Sequence, residues 1–304
     1  MPGAGASVYI RGYSSLLSNN QPLYIVDGMP LEDSNIYDGL LEGANFSPIS
    51  TIDPLDISEI SVLKDAASTA LYGAKGANGV VIIKTLEPKE TKTTIDFLYR
   101  TGLSMTPAQL PQLDAKAYKT LANEVLFSSG MAEEQYKQLY PGLYLTPDDK
   151  DYITYSHNTN WQDEVFTNAI MNNVRFSIKG GDAIAKYGLS VGYLKNTGII
   201  KNTSYDRLNI RLVGTFDIFS WLQMDVATNL TTSVSFLKES GLSSVTNPLL
   251  SSLWKSPKLN PYEYDDDGNL LQIIDEVDEL GTSNPAAVVS LSDAQAKNYN
   301  CSWI

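Results

Sequence analysis

From residue 92 onward the chain alternates apolar residues with polar or very small ones, and this period of two leaves few folds open. Ile95, Phe97, Tyr99 and Leu103 fall on one side of the rhythm, with Asp96, Arg100 and Gly102 on the other. Val174, Phe176 and Ile178 alternate with Arg175, Ser177 and Lys179. Tyr187, Leu189, Val191 and Tyr193 alternate with Gly188, Ser190 and Gly192. Leu208, Ile210 and Leu212 alternate with Asn209 and Arg211, and Leu222, Met224 and Val226 with Gln223, Asp225 and Ala227. Successive side chains of a strand point to opposite faces, so each segment reads as a strand with one apolar face. Gly180-Gly181-Asp182, Asn196–Ser204 and Phe216–Leu222 supply the returns, which predicts a meandering antiparallel sheet. Such a sheet needs a cover for its apolar side. In water that is a second layer; in a membrane it is lipid, with the polar face lining a lumen. The glycines and charges on the polar face favour the membrane solution.

Residues 1–87 have a different texture. Val8-Tyr9-Ile10 reads as a short strand before Arg11-Gly12, and Leu23–Val26 runs into the turn signal Asp27-Gly28-Met29-Pro30. Ile57–Leu63 reads as a strand. Asp65 is placed to cap a helix over Ala66–Tyr72, with Gly73 just past its end. Gly76 and Gly79 bracket a turn before Val80–Ile83, an apolar strand buried on both faces. The expected fold class is therefore a mixed α/β unit followed by part of an antiparallel β-barrel. An insertion at about 107–160 separates the first two wall strands. Within it Leu113–Ser129 reads as a helix, with Leu113, Ala117, Leu121 and Val125 at four-residue spacing, and Glu133–Leu139 as another helical turn. After Thr231 the rhythm thins, and no terminal element is expected near Trp303-Ile304.

Composition removes several function classes. Asp and Glu outnumber Lys and Arg, 35 to 22, for a net charge of −13. That excludes non-specific nucleic-acid binding through phosphate neutralisation. One cysteine, Cys301, excludes an internal disulfide and Cys-rich metal clusters, and one histidine, His157, excludes a His-pair zinc site. No cofactor motif is present: Gly73, Gly76 and Gly79 precede a strand, where a dinucleotide site needs glycines opening a helix. His157 has no Gly-x-Ser-x-Gly elbow to serve, so no catalytic residues are assigned. Glu263, Asp265, Asp267 and Gly268 follow a calcium-loop spacing, but its twelfth position is Ile274, so Asp265–Asn269 reads as a solvated turn. No apolar run is long enough for a membrane-spanning helix, and the opening residues carry no secretory signal, which raises no barrier to a β-barrel. The 18 tyrosines offer two uses. Tyr187, Tyr193, Tyr205, Phe219 and Trp221, near strand ends, fit an interfacial girdle. Tyr140, Tyr144, Tyr152, Tyr155 and Trp161, in the insertion, are candidates for ligand contact.

Three stretches carry a family resemblance: Val8–Ser15, Asn20–Pro30 and Asp53–Val80. They are similar to the plug of the SusC/RagA family, TonB-linked outer-membrane transporters of Bacteroidota. Asn160–Phe166, Ser177–Gly181, Tyr193–Ile200 and Tyr205–Arg211 resemble that family's first barrel strands. The resemblance implies a plug at 1–87, lacking its amino-terminal part, and the first strands of a 22-stranded barrel over 92–304. It implies energy-coupled import of large nutrients, oligosaccharides foremost and oligopeptides as the alternative, with no enzymatic step. A soluble glycan-binding module is the reading outside the family. The implied partners are a SusD-like lipoprotein, the TonB–ExbB–ExbD machine and outer-membrane lipid, with the complete protein in the outer membrane and this chain a fragment of it. Arg11, Gly12, Asp27, Gly28, Lys64, Asp65, Tyr72, Gly73, Asn78 and Gly79 match the plug motifs and take structural or gating roles by resemblance. Arg11 and Lys64 are then expected to pair with carboxylates of the barrel wall, many of them absent from this chain.

Overall fold

The structure is a computed structural model that describes residues 2–3, 8–15, 20–31, 48–130, 132–149, 152–243, 245–264, 270–273, 282–290 and 294–303. Its N-terminal unit is built around β4 (Val80–Thr85), whose Val-Val-Ile-Ile run suits a strand flanked on both edges. It pairs in parallel with β1 (Leu23–Val26) and antiparallel with β3 (Ile57–Leu63); β2 (Met29–Leu31) completes the order β2-β1-β4-β3. The β1–β2 turn is two residues long, and both, Asp27 (φ 48°) and Gly28 (φ 87°), are left-handed. That twist matches the flanking strands, which is why Asp-Gly is favoured there. Tyr24, Ile52, Val81 and Ile83 form the core, with Ile10, Val26, Leu31, Ile49 and Ile57 packed against it.

Two local expectations differ here. Val8–Ile10 is not in a strand. The helix expected over Ala66–Tyr72 is one α-helical turn, α1 (Ala66–Thr69), followed by a 3-10 stretch over Ala70–Gly76. Gly73 interrupts that stretch with a left-handed φ of 59°, a conformation a Cβ would disfavour. Asp65 holds the N-cap position, but through its backbone: its carbonyl accepts from Thr69 N at 3.0 Å, and its side chain makes no capping bond.

The wall is a six-stranded antiparallel sheet: β5 (Thr91–Ser104), β6 (Ala169–Gly181), β7 (Ala185–Thr197), β8 (Ser204–Phe219), β9 (Leu222–Leu237) and β12 (Ala294–Trp303). The registers align Phe97, Phe176, Val191, Ile210 and Leu230 in one row across the sheet. On the opposite face Arg175, Gly192, Asn209 and Thr231 align. Phe176, Tyr193, Leu208, Leu212 and Leu230 are exposed on the apolar face, while Arg175, Asn209, Arg211 and Thr231 are buried on the polar one. The polar face meets the N-terminal unit. Strand β12 was not expected, because Ala-Gln-Ala-Lys-Asn-Tyr-Asn-Cys-Ser-Trp carries almost no apolar alternation. It is paired with β9 over its whole length.

Connections differ at the two ends of the sheet. Residues 182–184 and 220–221 make tight returns at one end, where Phe219 and Trp221 stack at 5.5 Å in the open. In the first return Asp182 Oδ1 accepts from Ile184 N and Ala185 N, both at 2.8 Å. The bond from Ala185, then that from Ile184, holds this carboxyl below its ordinary range. A lowered folded value means the contribution is present above the ordinary carboxylate range and is lost as pH falls through the folded value. The protection of the 184–185 amides, taken relative to intrinsic exchange at each pH, is therefore expected to fall as pH drops through that folded value. Asp182→Asn, whose amide oxygen accepts the same bonds, should remove the pH dependence; an unchanged pH profile in that variant would contradict the assignment.

At the other end the segments between β5 and β6 and between β9 and β12 fold together. The first carries α2 (Ala115–Ser128), α3 (Glu133–Leu139), α4 (Tyr152–Tyr155) and α5 (Trp161–Val165). The second carries α6 (Pro248–Trp254), the pair β10 (Tyr262–Tyr264) and β11 (Leu270–Ile273), and α7 (Pro285–Ser290). Asp114, Asn160 and Asn247 cap α2, α5 and α6 with side-chain oxygens. His157 N donates to Lys258 O at 2.9 Å, Thr159 N to Pro257 O at 2.8 Å and Gln112 Nε2 to Ser252 O at 2.9 Å, which stitches the two segments into one layer.

Candidate functional site

The strongest concentration of buried charge lies where the N-terminal unit meets the wall. A 3-10 turn over Pro48–Thr51 and a second over Pro54–Asp56 bring residues 50–56 against the polar face of β6–β9. Asp53 caps the second turn, accepting from Leu55 N at 3.1 Å, and Pro54 opens it, so the Asp-Pro-Leu-Asp sequence fixes both carboxylates in place. Arg175 on β6 spans them: Nη1 donates to Asp53 Oδ2 at 3.1 Å and Nη2 to Asp56 Oδ1 at 2.5 Å. Ser190 Oγ on β7 donates to the same Asp56 oxygen at 3.1 Å. The residues Arg175, Asp53 and Asp56 are 9%, 4% and 6% exposed, so solvent screens this bridge little.

Two further arginines on β8 extend the contact. Arg207 Nη1 donates to the carbonyls of Ser50 (2.6 Å) and Ile52 (3.2 Å), and its Nη2 lies 3.9 Å from Asp53 Oδ1. Arg211 bonds Thr85 Oγ1 and lies 3.7 Å from Asp27 Oδ2. Asp27 in turn accepts from Thr85 N at 2.8 Å and Thr85 Oγ1 at 2.6 Å. Between the arginines, Asn209 Nδ2 donates to Thr51 O at 2.8 Å and Thr231 Oγ1 to the same carbonyl at 3.0 Å. Three wall cations thus face three carboxylates, Asp27, Asp53 and Asp56. A buried pair of this kind adds little net stability over an apolar contact, but removing one member is costly. The arrangement suits a latch with a fixed register.

Glycine makes the approach possible. A Cβ built on Gly192 would lie 3.0 Å from Asp53 Oδ2, so any larger residue there must displace that carboxylate. Gly192→Val is expected to destabilise the contact by about 1–3 kcal/mol. Faster amide exchange across 50–56 in the complete protein would report it; wild-type exchange there would show that the wall yields instead.

The residues singled out by resemblance divide into two places. Asp27 and Gly28 sit at the latch. Arg11, Gly12, Lys64, Gly73, Asn78 and Gly79 line one depression of about 390 Å³ at the other end of β4. Tyr72 is half-buried on the 3-10 turn beside it. There Ser14 Oγ donates to Asn78 Oδ1 at 2.6 Å and Asn78 Nδ2 to Gln21 O at 3.4 Å. Among the described residues Arg11 Nη2 bonds Asp65 Oδ1 at 2.7 Å within the N-terminal unit, with side chains 66% and 74% exposed. Arg11 has a left-handed φ of 63°. A pair so open contributes at most about 1 kcal/mol. Among the described residues Lys64 makes no ion pair with a carboxylate of β5–β9.

The aromatic expectations also change. Trp161 is 1% exposed and donates its Nε1–H to Ser256 O at 2.9 Å, so it is the centre of the loop layer and not a ligand contact. The Tyr144 ring lies 5.9 Å from that of Tyr136, tilted by 33°, and its hydroxyl bonds Asn123 Oδ1, and Tyr155 packs on Gly142. Tyr140 and Tyr152 are half-buried in the same layer. Tyr205, assigned to the girdle, points to the other face: it is 5% exposed and its hydroxyl donates to Ser50 O at 3.3 Å. The acidic stretch Asp265–Asn269, read above as a solvated turn, and the Cys301 side chain lie outside the described residues. Sequence reasoning missed Asp53, Asp56, Arg175, Arg207 and Arg211 as a set. Their one signal was arginine recurring on the polar face of β6 and β8.

Comparison with known proteins places these features. The family model described as the TonB-dependent Receptor Plug Domain matches residues 1–80. The TonB-dependent receptor SusC of Bacteroides thetaiotaomicron is 31% identical over 207 residues, covering 68% of this chain and 18% of the relative. The TonB-dependent receptor P3 of Formosa agariphila is 26% identical over 310 residues, covering 99% of this chain and 26% of the relative. The chain therefore spans well under a third of the length of these relatives. Among solved structures, the RagAB peptide importer in its open-open state superposes with a TM-score of 0.66 at 24% identity, over 94% of this chain and 33% of that one. Its closed-closed state gives 0.64 at 21% identity, over 92% and 32%. These two likenesses establish the shared fold.

Proposed function

Because this chain belongs to the SusC/RagA-type family of TonB-dependent outer-membrane transporters, whose members are transport proteins and not enzymes, we propose that the complete protein imports a large nutrient across the outer membrane under TonB control. Residues 1–87 act as the plug and 92–304 as the first wall strands. The short returns then face the periplasm and the long connections the exterior. A SusD-like lipoprotein and the TonB–ExbB–ExbD machine are the partners. The observation that carries the reading is the latch: Arg175, Arg207 and Arg211 of the wall hold residues 50–56 and Asp27 of the plug by directional, charge-assisted bonds. Such bonds fix a closed state and can be broken by a pull. Arg11, Gly12, Lys64, Asp65, Tyr72, Gly73, Asn78 and Gly79 would shape the plug's other face.

For the cargo, the oligopeptide alternative has the better support, since the solved structures of like fold are of a peptide importer. The oligosaccharide reading has no comparable observation behind it. The test is uptake of a fluorescent oligopeptide and of a fluorescent oligosaccharide of similar mass, in cells with and without a working TonB. Uptake of the peptide alone, and only with TonB, is expected. Equal uptake in cells lacking TonB would sink the transport reading, and uptake of the sugar alone would restore the glycan reading.

A further inference from the structure

Below the latch, toward the short returns, the plug and wall leave a cleft of about 370 Å³. Its plug side is Leu55, with Leu86 and Pro88 of the linker that leads into β5. Its wall side is Ser177 on β6 with Gly188 and Ser190 on β7. Arg175 and Asp56 roof it, joined by their 2.5 Å bond. Lys179 and Asp96, 3.4 Å apart and mostly exposed, stand at its mouth.

The polar face of β7 explains why the space is there. Gly188, Ser190 and Gly192 succeed one another along it, between arginine-bearing neighbours on β6 and β8. They leave a groove along the strand. Its upper part is filled by Asp53, whose Oδ2 lies 3.0 Å from where a Gly192 Cβ would be, and by Asp56, bonded to Ser190. Its lower part is the cleft. Cleft and upper groove are thus separated by one plug segment, residues 53–56, and that segment is held by Arg175 on the wall side.

We propose that cargo leaves along this groove: displacement of residues 53–56 joins the cleft to the lumen above, and the passage runs between the plug and β5–β8, with the plug's own sheet intact. The lining suits an extended peptide-like chain. Leu55, Leu86 and Pro88 offer an apolar side for side chains, and the hydroxyls of Ser177 and Ser190 with the mouth pair Lys179–Asp96 offer partners for backbone amides and termini. This route rests on the transport reading but is tested without any cargo. The complete transporter is placed in planar bilayers with potassium chloride as the permeant, in wild type and in the latch variant Arg175→Ala. A cysteine at Ser177, which makes no bond in the latch, is then modified with a bulky methanethiosulfonate reagent and released with reductant. The wild type should be nearly closed and the latch variant open. Modification at Ser177→Cys should abolish most of the variant's conductance, reversibly, while the same reagent at an outward Phe176→Cys should not. Conductance that survives full modification at residue 177 would overturn the route. So would a latch variant that stays closed, because its stated barrier would be gone. Failure of TonB-dependent uptake would count against the transport reading alone.

Discussion

Arg175→Ala in the complete transporter is expected to loosen residues 53–56 from the wall, with Ser50–Ile52 still held by Arg207, Asn209 and Thr231, while the barrel itself assembles normally. The substitution removes the one side chain that bonds both Asp53 and Asp56. Asp56 keeps only the Ser190 hydroxyl from the wall, and Asp53 keeps Arg207 at 3.9 Å, too far for a hydrogen bond. Two carboxylates that are 4% and 6% exposed then lack adequate partners. Breaking a buried pair from one side costs about 3–5 kcal/mol. The readouts are amide exchange across 53–56, which should accelerate sharply, and sensitivity to large antibiotics, which should rise. Arg175→Lys should recover part of the loss, because an ammonium reaches one carboxylate and lacks the planar fork for both. Converting Arg175 to Met together with Asp53→Asn and Asp56→Asn should recover much of the stability, since no charge is left buried alone. Unchanged exchange across 53–56 in Arg175→Ala would refute the latch.

Trp161→Ala should have an effect of similar size in a different place. The indole is 1% exposed at the start of α5, where that helix packs against α6 and α7, and its N–H satisfies Ser256 O. Truncation removes a large buried ring at a cost of about 3–5 kcal/mol and strands a carbonyl. The loop layer should open, and protease should cut within 238–260 while residues 48–56 stay protected. Trp161→Phe should be intermediate, because it keeps most of the ring volume and loses the donor. If cutting in both regions rises together, the loop layer and the latch are one cooperative unit and the separation drawn here is wrong.

Much of the wall was legible because a half-buried strand writes its two faces into alternate residues. β12 was not, since Ala294–Trp303 has no apolar alternation to read and is held by backbone pairing with β9. The latch was half legible: Arg175 and Arg211 stood out on a polar face, but their partners lie more than a hundred positions earlier, and no local rule links them. Asp53 and Asp56 looked like an ordinary turn, and the turn is what aims them. Two of the aromatic assignments failed for a related reason. A tyrosine at a strand end or a tryptophan in a loop has the same local sequence whether it faces lipid, cargo or a core, so Tyr205 and Trp161 were placed on the wrong side. The helix after Asp65 was foreseen too long because Gly73 was taken as its end; it lies inside the 3-10 stretch instead.

The linker from Thr85 to Thr91 sets the mechanics of opening. Fully extended, so few residues reach at most about 20 Å. The C-terminal end of β4 is therefore tethered to the first wall strand covalently, and to β8 through Arg211. β1 runs parallel to β4, with Leu23 opposite Val80 and Val26 opposite Ile83. A tension applied upstream of Leu23 and resisted at Thr85 pulls the two strands lengthwise past each other, so their interstrand bonds share the load and none can be peeled first. Everything upstream of β1 is outside that shear-loaded pair. The plug consequently behaves as a rope with a reinforced end: slack is drawn from the upstream side, and β1–β4 is the last part to yield.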